Sequence, residues 1–576
     1  MRYMKEILKK NRNWVIVYLS IGLFNAFMAN YKANCFQRIV DGLSDRTISI
    51  FGILFYGVVL CVTYGMNYVD VYPTVKLENE IYLDFKLLAL EKIGRMDYAE
   101  YQKLGTGKLI QQIENGANAG KGVLYNFWFE VVRNLVPTIL FSLFFIWRID
   151  PKITYFLLSG YVVVFFVTNL LLKGLYQIKE KILTNEEELN HFLVRGFMEM
   201  PIFRMKRQFP GEVRKALGAK RIIVAAKVKM TMIHEAFFTI FALLVACLDV
   251  GILIYAWQNG HLTVGAVVAL ITLIDNAYVP IAIFNVIYVQ YKLNQTAWQR
   301  FAGVLDLKED GQLAEGAGFP ALCREIRVED LSYSYQASPG EEKKVLGAVS
   351  LTIKKGEKAA FVGESGSGKS TLAKVLVGLL KYEEGDILFD QESLKNLSLE
   401  SLYEKVSYLS QDTPVFDGTI RENLVFDREV PDTDINAVME QVQFLPLLAS
   451  LEKGLDTRIG EKGTCLSGGE KQRLVLARLL LDHSEIIVLD EATSALDNVT
   501  ESMVMKNVLE QMGDATVISI AHRLSSIREF DRIFVFREGR IVGSGTFEEL
   551  LADNAYFAEL YEKEKEKGDV PAAERG

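Results

Sequence analysis

The chain has 576 residues, half of them apolar, yet 24% are charged, and its mean hydropathy is +0.16. That mixture excludes a protein living wholly in water or wholly in lipid, and the length points to two to four domains. A net charge of −8 speaks against nucleic acid as a partner, and five scattered cysteines without a CxxC pair offer neither a disulfide framework nor a zinc site.

The basic start MRYMKEILKKNRNW precedes an apolar run too long for a signal peptide and without a clean cleavage site, which predicts an uncleaved first membrane helix. Six apolar stretches follow one another, near Trp14–Tyr31, Ile48–Tyr68, Val131–Trp147, Ile153–Leu175, Phe237–Trp257 and Val264–Tyr288. Each approaches the ~20 residues that carry a helix across about 30 Å of hydrocarbon. The third has Arg133 and Asn134 at its start, which predicts a cytoplasmic helix that enters lipid near Leu135. The connections before the third and the fifth runs are long and rich in Lys and Arg. Positive-inside bias puts both, with the N-terminus, in the cytoplasm of a multi-pass cell-membrane protein. Their patterns, such as LDFKLLALEKIGRM and EELNHFLVRGFMEM, predict membrane helices prolonged into the cytoplasm with a short helix at each tip. The first tip, from Asp97 to Lys108, reads as a helical hairpin or as a docking element for a second domain.

Two carboxylates, Asp249 and Asp275, lie in the fifth and sixth runs, about 12 and 17 Å from the outer ends. An ionisable group in a span faces a cavity or a partner rather than lipid. The pair predicts either a site for a cationic or amine-bearing substrate or packing against Arg133 and polar neighbours. Asn25, Asn30, Asn276 and Asn285 fit the cavity or helix packing.

Around Glu309–Pro320 the composition turns to Gly, Ala and acidic residues, and beyond it short apolar runs alternate with helical patterns. The expected organisation is a six-helix membrane domain over 1–308, a linker over 309–324, an α/β P-loop nucleotide-binding domain over 325–565 and a charged tail over 566–576. Gly363, Glu364, Ser365, Gly366, Ser367, Gly368, Lys369, Ser370 and Thr371 follow a strand-like run and open a helix-like one. Such glycines let backbone N–H groups wrap phosphates at a helix N-terminus; Lys369 would reach the β- and γ-phosphates and Ser370 would bind magnesium. The buried-strand pattern IIVLD ends on Asp490, placed for the magnesium shell, with Glu491 next to polarise the attacking water. ATP and Mg2+ are the expected ligands.

Between these motifs stands Leu466-Ser467-Gly468-Gly469-Glu470, opening a helical stretch. Here the sequence resembles the ATP-binding-cassette (ABC) transporters, whose signature is this LSGG element. The resemblance covers about residues 10–565, and six spans ahead of the ATPase domain look like the exporter type. It implies that Gln411 senses magnesium and the attacking water, that His522 is the switch histidine, and that Tyr335 stacks on adenine, with Tyr333 two residues away. It likewise implies that Ser494–Asp497 is a dimer-contact loop and that Gly460–Gly463 meets the ends of membrane helices. Glu470 departs from the commoner Gln, from which at most a modest effect on nucleotide affinity is expected. Further implications are a second half-transporter, as homodimer or heterodimer, and composite sites joining one chain's phosphate loop to the other's signature. The transport expected is export of a small amphipathic molecule, lipid or peptide. The alternatives are a siderophore-like importer on the same fold and an ATP-driven regulator.

Overall fold

A computed structural model describes residues 2–569 except 260–261, 339–340, 412–413, 461–462, 492–495, 497 and 522; at 161–176 and some other positions it describes the backbone alone. The chain forms two compact units: one holds the residues up to Gly94 with Leu104–Leu307, the other Arg95–Lys103 with the residues from Lys308 onward.

The described residues up to Leu305 are mostly helical: α1 (Arg2–Lys10), α2 (Arg12–Ser44), α3 (Ile50–Arg95), α4 (Tyr98–Leu104), α5 (Thr106–Val123), α6 (Val136–Ile149), α7 (Pro151–Met198), α8 (Met200–Met205), α9 (Phe209–Asn259) and α10 (Val264–Leu305). The longest, α9, has 51 residues, far more than the ~20 a bilayer needs. Apolar and charged stretches therefore belong to single rods, with α4 and α8 as the short tip helices. Among the described residues, α2, α3, the α5–α6 stretch from Leu109 to Ile149, α9 and α10 are long and apolar enough to cross a membrane. The sixth expected span, Ile153–Leu175, lies in α7, where the side chains of 161–176 fall outside the described residues.

Two π-helical segments, Leu124–Phe129 and Val131–Leu135, join α5 to α6. They carry Arg133 inward. Its guanidinium pairs with Asp70 of α3, donates to Thr74 Oγ1 at 3.3 Å, and lies 3.8 Å over the Tyr18 ring of α2. Gly22 makes room for it, since a Cβ there would stand 2.0 Å from Arg133 Cγ. The ion pair of Arg133 is thus made with Asp70, which removes the alternative in which Arg133 answers Asp249 or Asp275. Lower in the unit, Asp84 of α3 accepts from Lys10 Nζ at 2.5 Å and Asn11 Nδ2 at 2.7 Å, tying the α1–α2 elbow to α3. Asn30 Oδ1 accepts from Ser142 Oγ at 2.6 Å and Asn276 Nδ2 at 3.3 Å, clasping α2, α6 and α10. Hydrogen bonds of this kind stand in for the hydrophobic drive that lipid withholds from helix pairs.

In the second unit, β1 (Glu325–Ser338), β2 (Glu341–Lys354), β4 (Glu384–Phe389) and β5 (Glu392–Ser393) form an antiparallel sheet ordered β2-β1-β4-β5. The other sheet runs β10-β9-β3-β8-β7-β6, built from β3 (Lys358–Val362), β6 (Val406–Leu409), β7 (Ile486–Asp490), β8 (Thr516–Ile520), β9 (Arg532–Arg537) and β10 (Arg540–Gly545). It is parallel from β9 to β6, and every residue of β7 and β8 is buried. Runs such as IIVLD and TVISI are continuous rather than alternating because both faces are covered.

Residues 309–324, linker-like by composition, pack on this unit. Phe319 and Leu322 are buried in its core, Gln312 Nε2 donates to the Leu394 and Leu397 carbonyls, and Asp310 pairs with Lys381 at 3.0 Å. The Arg95–Lys103 segment joins them: Asp310 N donates to Arg95 O at 2.8 Å, Asp97 N to Lys308 O at 3.2 Å, and Tyr98 packs on the same core.

Candidate functional site

Parallel strands bring the motifs to one edge. The phosphate loop follows β3, Gln411 follows β6 and Asp490 ends β7, all at the carboxyl ends where open α/β sheets bind ligands. Gly363 has φ +146° and Gly368 φ +102°. A Cβ on Gly363 would stand 2.1 Å from the Phe536 carbonyl oxygen, so only glycine fits. The loop closes on the helix Lys369–Leu376.

Lys369 is 4% exposed, and its ammonium donates to the carbonyls of Gly363 and Glu364, each at 2.8 Å, and to Ser367 Oγ at 3.2 Å. Burial pulls it below the ordinary lysine value, against the nearby charges of Glu491 and Asp490. Its hydrogen-bond partners are neutral dipoles.

Asp490 is 2% exposed. Ser370 Oγ donates to its Oδ1 at 2.9 Å and the Tyr408 hydroxyl to its Oδ2 at 3.3 Å. Burial, with Glu491 adding, pushes the Asp490 carboxyl above the usual range in spite of those donors. A hydroxyl and a carboxylate that already meet form an oxygen-only donor set suited to a hard divalent cation. Glu491 takes φ +55°, a left-handed conformation rare outside glycine that concentrates at functional sites. Its Oε2 accepts from Gln411 Nε2 at 3.0 Å, so the two residues expected to handle the attacking water are in contact.

The tyrosines separate. A register shift falls between Tyr333 and Ser334 in the β1–β2 pairing. The Tyr335 hydroxyl lies 3.4 Å from Thr371 Oγ1 beside the phosphate loop. Burial instead pushes Tyr333 up to about 12, and it senses the charge of Asp97 in the Arg95–Lys103 segment. Of the two, Tyr335 is the one that meets the phosphate-loop helix.

Ser467 caps the helix Gly468–Leu481 in a reciprocal box: Glu470 N donates to Ser467 Oγ at 3.4 Å, and Ser467 N to Glu470 Oε2 at 2.6 Å. Glu470 is thereby accounted for as a capping residue. Burial opposes its charge, but the Ser467 hydrogen bonds outweigh that and hold it below the ordinary glutamate value. His522, Asp497, Ser494, Glu461 and Lys462 lie outside the described residues.

In the helical unit, Asp249 Oδ1 is buried with no hydrogen-bond partner among the described residues, Asp275 is exposed, and the two are within electrostatic range. The residue that motif reading passed over is Tyr408. Its only sequence signal is its place on the strand before Gln411, beside β7 in the register Tyr408–Val488.

Residues 346–494 match the family model described as ABC transporter. The chain is 33% identical over 342 residues to the iron–sulfur clusters transporter atm1, mitochondrial, of Aspergillus fumigatus, across 55% of this chain and 46% of that one. It is 27% identical over 508 residues to the ATP-dependent lipid A-core flippase of Alcanivorax borkumensis, across 87% of this chain and 84% of that one. The chain thus spans about half the length of the first relative and most of the second. It also shares its fold with a bacterial Atm1-family ABC exporter solved with ATP bound, at a TM-score of 0.81 over 97% of this chain and 99% of that one, with 22% identity. Phosphate loop, paired carboxylates, capped LSGG helix and the long helices ahead of them agree with these likenesses: residues 346–494 form an ABC transporter domain, and the chain as a whole has the fold of an ABC exporter, long apolar helices followed by an α/β nucleotide-binding domain.

Proposed function

We propose that the chain works as a homodimer that hydrolyses ATP at two composite sites and exports a solute across the cell membrane, its nucleotide-binding unit in the cytoplasm. The observation that carries this reading is the contact of Gln411 with Glu491, beside an Asp490 held by Ser370 and a Lys369 whose hydrogen bonds go to neutral dipoles. Tyr335 stacks on the adenine, and the N–H groups of the 363–371 loop cradle the phosphates. Lys369 exchanges its carbonyl partners for phosphate oxygens. Ser370, Asp490 and Gln411 would hold a magnesium ion, whose charge offsets that of the phosphates. Glu491, oriented by Gln411, accepts a proton from water as its oxygen attacks the γ-phosphorus and the bond to the β-bridging oxygen breaks. ADP and phosphate leave. Ser467, Gly468, Gly469 and Glu470 of the other copy open the helix whose N-terminal dipole meets the γ-phosphate. His522 supports the same phosphate by resemblance.

ATP thus holds the dimer closed, and hydrolysis releases it. This drives transport because the open and closed states bind solute with different affinity. The Arg95–Lys103 segment, folded onto the nucleotide-binding unit, supports its reading as the docking element.

The two relatives are named for different cargoes, one for iron–sulfur clusters and one for lipid A-core. Asp249 and Asp275 support a cationic or amine-bearing group on the solute here. Hydrolysis is tested with the chain alone in lipid vesicles: magnesium-dependent ATPase that Glu491→Gln abolishes supports a self-sufficient homodimer. A folded, ATP-binding chain without activity rejects it in favour of a heterodimer. For the cargo, Asp249→Asn and Asp275→Asn should slow uptake of cationic solutes into inverted vesicles; unchanged transport of every one removes the assignment.

A further inference from the structure

Asp490 has two carboxylate oxygens, and each is engaged by a different element. Ser370, on the first turn after the phosphate loop, donates to Oδ1 at 2.9 Å; Tyr408, on β6, donates to Oδ2 at 3.3 Å. A buried carboxylate held at one oxygen can still rotate about its Cβ–Cγ bond, whereas donors on both oxygens fix its plane. β6 is rigid at this point, because Ser407, Tyr408 and Leu409 pair in parallel register with Ile487, Val488 and Leu489 of β7. The phenol is therefore delivered from the strand adjacent to the one that ends on Asp490. The ring is partly buried against the core that Tyr333 and Tyr335 also touch, so its hydroxyl has little freedom to leave. Tyr333 offers an internal control: it packs on the same core and no described contact joins it to Asp490.

We propose that Tyr408 is a positioning residue for the metal of the nucleotide site: its hydroxyl pins Oδ2 of Asp490 so that Oδ1 and Ser370 stand pre-set for the cation. Tyr408 touches neither nucleotide nor metal; it acts through Asp490. The inference rests on the assignment of Asp490 and Ser370 as the metal-holding pair, and it is tested separately from it.

The full chain in lipid nanodiscs is titrated with Mg2+ while binding of a fluorescent ATP analogue is followed, and the same binding is measured in EDTA. Tyr408→Phe should raise the Mg2+ concentration at half-effect about three- to tenfold, the range expected for the loss of one ordinary hydrogen bond, since this one is long at 3.3 Å. Metal-free nucleotide binding should stay as in the wild type, and Tyr333→Phe should leave both quantities unchanged. A half-effect concentration within about 1.5-fold of wild type for Tyr408→Phe, or an equal shift for Tyr333→Phe, overturns the proposal. Tyr408→Met serves the same comparison if the phenylalanine variant loses metal-free binding, the sign of a misfolded site. If wild-type nucleotide binding itself ignores Mg2+, the assignment of Asp490 and Ser370 fails instead.

Discussion

Among the described residues, each unit buries one basic side chain almost completely, and the two are treated in opposite ways. Arg133 in the helical unit is 5% exposed and Lys369 in the nucleotide-binding unit is 4% exposed. Arg133 meets a full counter-charge in Asp70 and the face of Tyr18. Lys369 meets two carbonyls and a hydroxyl. A cation neutralised by its own chain has nothing left to offer a ligand and serves to join helices. A cation whose hydrogen bonds go to dipoles, with Glu491 and Asp490 near it, keeps its charge for an incoming anion, at a cost visible in the lowered affinity of Lys369 for its proton, which burial causes.

The sharpest way to break this contrast is to remove both cations in turn. Lys369→Ala should lower ATPase activity by at least about a hundredfold while the thermal unfolding midpoint stays close to wild type, read by vesicle ATPase and by calorimetry in detergent. Arg133→Met should do the reverse, destabilising the helical unit by about 1–3 kcal/mol because the half-buried carboxylate of Asp70 loses its partner. The double variant Arg133→Met with Asp70→Leu should recover most of that loss. A single variant as stable as wild type would show that the pair is not structural. Smaller effects come from the signature helix. Ser467→Ala removes a cap worth about 1 kcal/mol, and hydrogen exchange without nucleotide should quicken over the first turn of Gly468–Leu481 only. Glu470→Gln keeps the acceptor, so the KM for ATP should change by less than about threefold.

The smallest effect is a pH dependence. The folded-state pKa of Glu470 is depressed, so its contribution is present above the ordinary glutamate range and is lost as pH falls through the lowered value. Glu470→Gln should flatten that acid-side loss in the same exchange experiment and leave stability at neutral pH unchanged.

Local motifs were legible from the chain alone because each is a contiguous stretch whose residues act within one turn: the phosphate loop, the IIVLD strand end and the LSGG helix start. The α/β unit with its ABC transporter domain follows from them. Partners separated along the chain were not legible. Asp70 and Arg133 stand 63 positions apart, and Tyr408 and Asp490 82; nothing in the spacing of either pair announces a contact that the folded backbone alone creates. How residues 309–324 pack was not legible for a different reason. Their glycines and acids suggested a tether, while Leu313, Phe319 and Leu322 pack on the core and Gln312 and Asp310 bond to its surface. The Glu for Gln exchange at 470 looked like a change at the nucleotide because motif reading does not see that the carboxylate turns back onto Ser467.

The allegiance of Arg95–Lys103 has a practical consequence for anyone recombining this protein. A boundary cut at residue 308 follows the composition, yet it strands a piece of the nucleotide-binding unit on the other side, including Met96 of the Met96–Glu309 bridge and the ring of Tyr98. An excised ATPase fragment beginning there would present a bare apolar facet beside Tyr333 and Tyr408, and would be prone to self-associate. A chimaera that exchanges nucleotide-binding units between half-transporters must carry those nine intervening positions along, transplanted into the tip between α3 and α5, or graft a mismatched joint.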